Sequence, residues 1–424
     1  MQKQYVHFNT SADPISTKWY LKPLTMLLSA PFLWKHKTTI TREGMEGIKP
    51  PYMLLCNHNA FFDFMVAAKA IFPNNANYIV AVDGFVGFPG LKWLMLRVGC
   101  ICKRKFTNDL RLVRQLSKIV EKGNVVCFYP EARYSLCGTT AVLPSSLGKL
   151  CKMLNVPIAT LMCHGHHVNS PAWNKHSRHV KGTEAELKLI FTAEEVATLS
   201  ADEINARLVE EFQYDDFAWQ KQRGIITKYK RRAENLHKIL YQCPRCGTEF
   251  EMSSKGTKLT CNHCGKSWTM TTLSELVADD GETEFSHIPD WYEWERANVR
   301  KEVEAGTYSS GVLPVTVRTL PNVRHFMLGE GTLVHDMEGF HVHGKDKDGD
   351  AFNEEVPVPA RYSCHVEYNY HRYGDCLDVS TLTDTWFLAP HDCRFSLTKI
   401  ALATEELYYA HRRSIGRECK PGLA

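Results

Sequence analysis

The sequence predicts an α/β protein with a layered, mainly parallel central sheet, followed by a small cysteine-rich module and a β-rich C-terminal domain. With 424 residues the chain is longer than one core usually grows, and about 150 residues per domain gives roughly three units. Its first part alternates short apolar runs with helical stretches, whereas its last part contains strand-sized runs separated by turn residues. Between them lie two closely spaced cysteine pairs.

The first region, residues 1–240, is predicted to be one α/β domain. Its strand-like runs are "PYMLLC", "ANYIVAV", "NVVCFYP" and "VPIATLMC", and its helical stretches include "NDLRLVRQLSKIVEKG" and "SSLGKLCKMLN". Apolar runs of this length without alternation are typical of strands that are buried on both faces. Their alternation with helices indicates a parallel sheet with helical layers.

The second region, residues 241–272, resembles a zinc ribbon. Its stretch "CPRCGTEFEMSSKGTKLTCNHCG" contains two C-x-x-C pairs, formed by Cys243 and Cys246 and by Cys261 and Cys264. Four thiolates can fill all positions of a tetrahedral Zn²⁺, which makes the predicted site structural. A module this short cannot bury a core unaided, so the metal would supply its stability.

The third region, residues 285–424, is predicted to be a small antiparallel sandwich or barrel with a terminal helix. It opens with the helix-like "IPDWYEWERANVRKEVEAG" and continues with strand-sized runs such as "GVLPVTVRTL", "GTLVHDMEGFHVHG", "DCLDVST" and "DTWFLAP". The closing "SLTKIALATEELYYAHRR" has helical spacing. A series of strands capped by one helix resembles pleckstrin-homology-like domains in element order.

Composition indicates a cytoplasmic protein. Apolar residues make up 44% of the chain, no apolar run approaches the ~18 residues of a membrane-spanning helix, and the first residues lack the apolar core of a secretory signal. The eleven cysteines outside the paired motif lie in segments such as "VVCFY", where reduced thiols act as small apolar groups. A net charge of +4 does not by itself indicate a polyanionic partner.

The stretch "LLCNHNAFFDFMVA", residues 54–67, places polar residues in a turn between a buried strand and a helix. His58 and Asp63 form the most informative pair. A cysteine nucleophile is excluded, because the chain is already turning between Cys56 and His58. A metal site is excluded as well, because two ligands do not complete one. A structural role, with the aspartate favoured near a helix N-terminus, remains open.

Two further strands end in polar residues. "GNVVCFYPEARYS" continues into Glu131, Arg133 and Ser135, and "VPIATLMCHGHHVN" continues into a histidine cluster. Ligands of open α/β sheets bind at the carboxyl ends of the strands, so these ends are expected to meet in one pocket. A general base, an orienting carboxylate and an anion-binding arginine are the groups needed for acyl or phosphoryl transfer to a hydroxyl.

These residues also carry a family resemblance. "NHNAFFD" has the pattern N-H-x-x-x-x-D, "YPEARYS" resembles F-P-E-G-T-R-S, and "VPIATL" resembles the V-P-I/V motif of the glycerolipid acyltransferases, which include the lysophosphatidic-acid acyltransferases. The resemblance implies that His58 is the general base and that Asp63 holds its imidazole. It implies a lysophospholipid acceptor, such as 1-acyl-sn-glycerol-3-phosphate, and acyl-CoA or acyl-carrier-protein (acyl-ACP) as donor. The predicted substrate contacts are Asn57, Arg104, Glu131, Arg133 and Ser135.

Two motifs differ from the family pattern. "PEARYS" has Ala132 where glycine is usual and its arginine falls one place early, while "GCICKRKF" is shorter than G-x-I-x-x-D-R and lacks the aspartate. The catalytic pair is unaffected. Both differences fall in motifs that contact the acceptor phosphate in the family.

Two segments suggest a surface partner. Residues 16–37, "STKWYLKPLTMLLSAPFLWKHK", have large apolar side chains flanked by lysines, which is typical of an interfacial helix; the alternative is a helix packed on the catalytic core. Residues 221–238 are basic and suit anionic lipid headgroups. We therefore predict a peripheral protein on the inner face of the membrane. The alternative is a non-catalytic zinc-ribbon module that binds protein or nucleic acid, of which nucleic acid is the less expected partner.

Overall fold

In a computed structural model of the protein, the first region folds around a seven-stranded sheet. The structure describes residues 13–61, 63–86, 91–107, 109–174, 176–321, 324–370, 373–392, 394–417, 419 and 422–424. The strands are β1 (Thr39–Glu43), β2 (Met53–Cys56), β3 (Ala76–Ala81), β4 (Ile101–Lys103), β5 (Val125–Phe128), β6 (Ile158–His164) and β7 (Glu184–Phe191).

The sheet is mainly parallel, as predicted. Its order is β1-β7-β6-β2-β5-β3-β4, and antiparallel pairing occurs only between β6 and β7. Strand β2 lies at the centre, with β5 and β6 as its direct neighbours. The carboxyl ends of these three strands therefore lie at one edge of the sheet.

Helices cover both faces of this sheet. They are α1 (Lys22–His36), α2 (Asp63–Ala70), α3 (Val82–Val86), α4 (Leu91–Arg97), α5 (Leu110–Glu121), α6 (Leu147–Leu154), α7 (His166–Asn169), α8 (Ala193–Thr198), α9 (Ala201–Glu211) and α10 (Asp216–Gln222). Along β2, Met53 and Leu55 belong to the apolar cluster that includes α5 and α6, whereas Leu54 and Cys56 belong to the cluster that includes α2. Alternate side chains of a strand point to opposite faces, which explains why this strand is apolar throughout.

The cysteine module is a four-stranded antiparallel sheet. Its strands are β8 (Met252–Lys255), β9 (Lys258–Cys261), β10 (Ser267–Met270) and β11 (Leu276–Ala278), in the order β11-β10-β9-β8.

The C-terminal region is β-rich, as predicted. It comprises α11 (Ile288–Glu304), β12 (Leu313–Thr319), β13 (Phe326–Asp336), β14 (Gly339–Asp346), β15 (Ala351–Pro357), β16 (His365–Glu367), β17 (Cys376–Ser380), β18 (Thr385–Pro390) and α12 (Leu397–Ser414). Its antiparallel sheet has the order β15-β14-β13-β12-β18-β17-β16. Strands β15 and β16 pair with one neighbour each, so the sheet is open rather than a closed barrel.

One apolar cluster joins the three regions. Trp268 of β10 meets Trp291 of α11 edge to face with 4.9 Å between ring centroids, and Leu397 of α12 belongs to the same cluster. Trp173 and Phe217 contribute from the first region. The C-terminal region is thus packed against the α/β layer. Among the described helices, none is long and apolar enough to cross a membrane.

Candidate active site

His58 lies in the turn between β2 and α2, at the carboxyl edge of the sheet. The preceding residue fixes this turn against the neighbouring strand: Asn57 Nδ2 donates to the Cys163 carbonyl at 2.9 Å, and the Cys163 amide donates to Asn57 Oδ1 at 2.8 Å. Both the oxygen and the nitrogen of the Asn57 side-chain amide thus have a partner within the protein. Asn57 does not line the cavity described below, contrary to its prediction as a substrate contact.

The structure brings His58 and Asp63 together. His58 Nδ1 donates to Asp63 Oδ2 at 3.2 Å. The same oxygen accepts hydrogen bonds from the backbone amides of Asn59 at 2.7 Å and Ala60 at 2.9 Å. One carboxylate therefore both stabilises the turn before α2 and orients the imidazole, so the structural and the catalytic interpretation describe the same contacts.

A third residue, His166, was not singled out as a partner of this pair. Its Nδ1 donates to Asp63 Oδ1 at 2.6 Å from the first turn of α7, and its side chain is buried. Burial alone would raise the pKa of Asp63, but the hydrogen bonds from His166 and His58 lower it to about 2. Asp63 is thus held as an anion beside His58. The only signal in the sequence was that "HGHHVN" follows the strand next to β2.

The ring of His58 lies between two tyrosines. The ring centroids of Tyr129 and Tyr134 are 4.6 and 4.4 Å from that of His58, and the His58 side chain is 22% exposed. Because Nδ1 is occupied by Asp63, Nε2 is the nitrogen left for a substrate. This arrangement suits a general base.

His58 borders a cavity of about 1110 Å³. Its walls are mainly apolar and come from α1, α2, α4, α5 and α6; they include Leu28, Phe61, Phe64, Leu94, Met95, Val113, Leu116, Leu150 and Met153. The opposite side comes from the C-terminal region through Tyr362, His365, Glu367, Asn369 and Tyr370. A cavity of this size with few polar groups is suited to a ligand with long apolar parts.

Glu131 connects the catalytic turn to its neighbours. The backbone amide of His58 donates to its Oε1 at 2.8 Å, while the Ala141 amide and the Tyr214 hydroxyl donate to Oε2 at 2.7 and 3.2 Å. Burial raises the pKa of Glu131 to about 7. The structure does not place Glu131 in the cavity, contrary to its prediction as a substrate contact: its oxygens face protein donors, and the residue does not line the cavity.

Ser135 also faces the protein. Its Oγ donates to the Thr139 carbonyl at 2.6 Å and accepts from the Gly138 amide at 2.9 Å, while its own amide donates to the His58 carbonyl at 3.0 Å. It is buried and does not line the cavity, so its predicted substrate contact is corrected as well. The loop that carries it nevertheless supports the turn of His58.

The two arginines predicted to bind the acceptor phosphate both contact the C-terminal region. Arg104 Nη1 donates to Thr385 Oγ1 at 2.8 Å and Nη2 donates to the Thr383 carbonyl at 2.8 Å. Arg133 Nη2 forms a buried ion pair with Glu405 Oε1 at 2.6 Å. Both arginines thus make contacts between the regions. Arg104 does not line the cavity, whereas Arg133 does, and its Nε and Nη1 have no hydrogen-bond partner within the described residues, so its phosphate contact stays a prediction.

Two lysines line the cavity near Arg104. Lys105 Nζ lies 3.1 Å from Asp83 Oδ2 and 2.9 Å from Asp378 Oδ2. Lys103 Nζ has a long contact of 3.4 Å to the Thr107 carbonyl, and no carboxylate in the described part of the chain pairs with it. Burial lowers the pKa of Lys103, since its charge is poorly solvated.

The unusual Ala132 adopts a left-handed backbone conformation. Its φ is +55°, in a region where a side chain is disfavoured and glycine is not. The loop thus keeps the shape that glycine favours even though its sequence differs from the family pattern.

The four paired cysteines converge on one point. Their sulfur atoms all lie within 4.8 Å of one another, with Cys243 and Cys264 3.8 Å apart and Cys246 and Cys261 3.7 Å apart. Tetrahedral sulfur ligands at the usual Zn–S distance of about 2.3 Å are separated by about 3.8 Å. The cluster therefore fits a tetrahedral metal ion held by four thiolates.

The basic stretch 221–238 is largely paired within the protein. Lys221 lies 2.5 Å from Glu275, the Arg223 guanidinium lies 2.9 Å from Glu184, and Lys238 lies 2.8 Å from Asp375. Arg232 Nε donates to the carbonyls of residues 270 and 271. These contacts leave little of the stretch as a continuous cationic surface.

Comparison with known proteins agrees with the site. Residues 36–164 match a family model described as Acyltransferase. The match covers less than half of the chain and lies within its first region. The matched segment contains β1 to β6 together with His58 and Asp63, so the resemblance predicted from the motifs is confirmed for this part of the chain.

Among solved structures, the chain is similar to the 1-acyl-sn-glycerophosphate (LPA) acyltransferase PlsC from Thermotoga maritima. The identity is 17% and the TM-score 0.32, over 45% of this chain and 80% of that one. The search of curated proteins gave no match.

Proposed function

We propose that this protein transfers a fatty acyl group from an acyl thioester to the free hydroxyl of a lysophospholipid. The acceptor is 1-acyl-sn-glycerol-3-phosphate and the product phosphatidic acid. The observation that carries the proposal is the hydrogen-bonded pair of His58 and Asp63 at the border of a large apolar cavity, within the segment that matches the Acyltransferase model. Apolar walls suit acyl chains, and the imidazole is the group that the acceptor hydroxyl needs.

In the proposed reaction, the acceptor hydroxyl attacks the thioester carbonyl while His58 Nε2 takes its proton. Asp63 stabilises the resulting imidazolium. The tetrahedral intermediate then expels the thiolate, which receives the proton from His58 and leaves as the free thiol of CoA or the carrier protein. A positioned general base supplies typically 10²–10⁴-fold in rate.

Lys103 is the cation we propose for the acceptor phosphate. It lines the cavity, is partly buried, and has no salt-bridge partner within the described residues, with Asp109 as the nearby charge that favours its protonation. A phosphate would compensate the unfavourable burial of this charge. Lys103→Met should therefore raise KM for the phosphate acceptor more than it lowers kcat, whereas loss of kcat alone would oppose this assignment.

We further propose that the protein works at the cytoplasmic face of a membrane. The α1 helix exposes Trp34 and Leu27, which are 84% and 70% exposed, while its Phe32 and Leu33 pack on the core. Phe61 beside α2 is half-exposed and also lines the cavity. Exposed aromatic and aliphatic groups at the border of a lipid-binding cavity favour contact with a bilayer.

The test compares two acceptors with the same enzyme. Replacing Leu27 and Trp34 together by serine should lower turnover of a long-chain acceptor in vesicles far more than turnover of a short-chain soluble one. Val312→Ser is a matched control, because Val312 is 67% exposed and belongs to the C-terminal region. Equal losses of turnover on both acceptors in folded protein would refute membrane contact through α1. If the wild type transfers no acyl group from any donor, the proposed acyltransferase activity is refuted.

We propose that the four-cysteine cluster holds a structural Zn²⁺. The sulfur spacing and the all-thiolate donor set support this choice. The cluster belongs to the cysteine module and lies outside the residues that line the cavity.

A further inference from the structure

The C-terminal region places a buried histidine in the wall of the cavity. His365 belongs to β16, its side chain is 2% exposed, and its Nε2 lies 2.9 Å from Glu367 Oε1. Its other ring nitrogen, Nδ1, has no hydrogen-bond partner within the described part of the chain. Both residues line the cavity that His58 borders.

The contact with Glu367 determines what Nδ1 can bind. A carboxylate accepts hydrogen bonds, so the neutral imidazole carries its hydrogen on Nε2 and leaves a lone pair on Nδ1. A buried polar atom without a partner is unfavourable, and in native proteins such atoms are usually satisfied. The complement of Nδ1 is therefore a hydrogen-bond donor, such as a hydroxyl group.

The unpaired nitrogen is near the reacting histidine. The ring of Tyr134 is in contact with both, at 4.4 Å from the His58 centroid and 5.9 Å from that of His365. One substrate could therefore reach both imidazoles.

The wall that carries His365 is fixed to the first region. His365 pairs with Asp378 in the β16–β17 register, and Asp378 forms a salt bridge of 2.9 Å with Lys105. The neighbouring Arg104 donates to Thr385 and to backbone carbonyls of the same region. These contacts hold the wall in place relative to His58.

We propose that His365 Nδ1 accepts a hydrogen bond from a substrate hydroxyl other than the one that is acylated, which makes His365 a specificity-determining residue supplied by the C-terminal region. The hydroxyl is carried by the pantetheine arm of the acyl donor or by an acceptor headgroup that, unlike that of 1-acyl-sn-glycerol-3-phosphate, has a hydroxyl of its own. This inference rests on the proposed acyl transfer, because it assigns one contact within the same cavity.

Two variants of His365 separate its nitrogens. In His365→Gln the side-chain amide can reach the position of Nε2 and donate to Glu367, but no acceptor remains at Nδ1. In His365→Asn the amide oxygen lies close to the position of Nδ1, whereas the contact with Glu367 is lost. Loss of one hydrogen bond to a neutral group predicts a fall in kcat/KM of about 5- to 10-fold for the glutamine variant on the substrate that carries the hydroxyl.

The experiment varies the acceptor and the donor in turn. The acceptors are 1-acylglycerol-3-phosphate and its phosphoglycerol counterpart, which has additional headgroup hydroxyls, both with acyl-CoA. The donors are acyl-CoA and the acyl thioester of N-acetylcysteamine, which lacks the hydroxyl of the pantetheine arm. We expect wild type and His365→Asn to prefer one hydroxyl-bearing substrate, and His365→Gln to lose that preference. The series in which the preference disappears identifies the source of the hydroxyl.

Equal losses for all four substrates in His365→Gln, or an equal preference in both variants, would overturn the proposal. A binding measurement with short-chain acceptors separates this failure from that of the proposed reaction. Suppose that the wild type turns over no substrate pair but still binds the phosphoglycerol acceptor more tightly than His365→Gln does. That result would support the hydrogen bond to His365 and refute the proposed acyl transfer. Equal binding by the two proteins would overturn the acceptor contact.

Discussion

Replacing Asp63 by asparagine tests whether the carboxylate acts in the reaction or only stabilises the turn. The pKa of Asp63 is lowered from 3.8 to about 2 because the hydrogen bonds from His166 and His58 outweigh the effect of burial. This lowering of the Asp63 pKa corresponds to about 2–3 kcal/mol. Since the folded pKa is the lower one, this stabilisation is fully present above pH 3.8 and is lost as the pH falls towards 2. Asparagine cannot ionise, so Asp63→Asn should lose up to about 2–3 kcal/mol of stability at pH 7.

The substitution should also lower kcat strongly in protein that remains folded. Without the carboxylate, His58 loses the partner that fixes Nδ1 as the donor and stabilises the imidazolium. We expect kcat to fall by about 10²–10⁴-fold, with KM almost unchanged. The measurement is acyl transfer to a soluble short-chain acceptor, with urea unfolding of the same samples.

Asp215 offers a matched control. It accepts hydrogen bonds from the backbone amides of Phe217 and Ala218 and lies 2.7 Å from His287 Nε2, but it does not line the cavity. Asp215→Asn should therefore reduce stability while leaving kcat unchanged. If folded Asp63→Asn retains kcat within about tenfold of the wild type, the reasoning is refuted and the carboxylate only stabilises the turn.

Three further predictions follow from the contacts between and within the regions. The protein should contain one zinc ion per chain by elemental analysis; Cys261→Ala should abolish binding and melt the module, because such sites supply about 10–16 kcal/mol of apparent binding energy, whereas Cys151→Ala should keep the metal. Arg133→Met should destabilise the fold in urea by about 3–5 kcal/mol by leaving Glu405 with one fewer cation, and unchanged stability would contradict a buried ion pair. Because burial raises the pKa of Glu131 from 4.5 to about 7, wild-type stability relative to Glu131→Gln should fall by about 3 kcal/mol as the pH rises from 4.5 to 7; parallel stability curves would contradict it.

The parts of the fold that could be predicted from the sequence are those with a strong local pattern. Strand β2 was recognisable because all its residues are apolar, which buried parallel strands require. Strand β1 has the sequence TITRE and is mostly exposed, so no apolar pattern identified it; β4 has only three residues. The boundaries 240 and 285 between the regions stay a prediction, since apolar side chains of all three regions share one cluster.

The candidate site was predictable where its residues lie in one short segment. His58 and Asp63 are separated by five positions within one turn, so the sequence motif alone indicated that their side chains are close. His166 could not be assigned, because its contact with Asp63 spans 103 positions along the chain and depends on the order of the strands. His365 could not be predicted from the sequence either, since its place in the cavity depends on how a second sheet packs against the first.

The cations of two motifs contact the C-terminal region. "GCICKRKF" supplies Arg104 and Lys105, which contact Thr385 and Asp378 of the C-terminal sheet, and "PEARYS" supplies Arg133, which contacts Glu405 of α12. Both altered motifs therefore hold the C-terminal region. Arg104 is held by these contacts and does not line the cavity, whereas Arg133 lines it with two guanidinium nitrogens that have no partner within the described residues. Lys103, in the same motif as Arg104, also lines the cavity and has no carboxylate partner among the described residues. The two motifs and the wall that the C-terminal region adds to the cavity are thus linked by the same set of contacts.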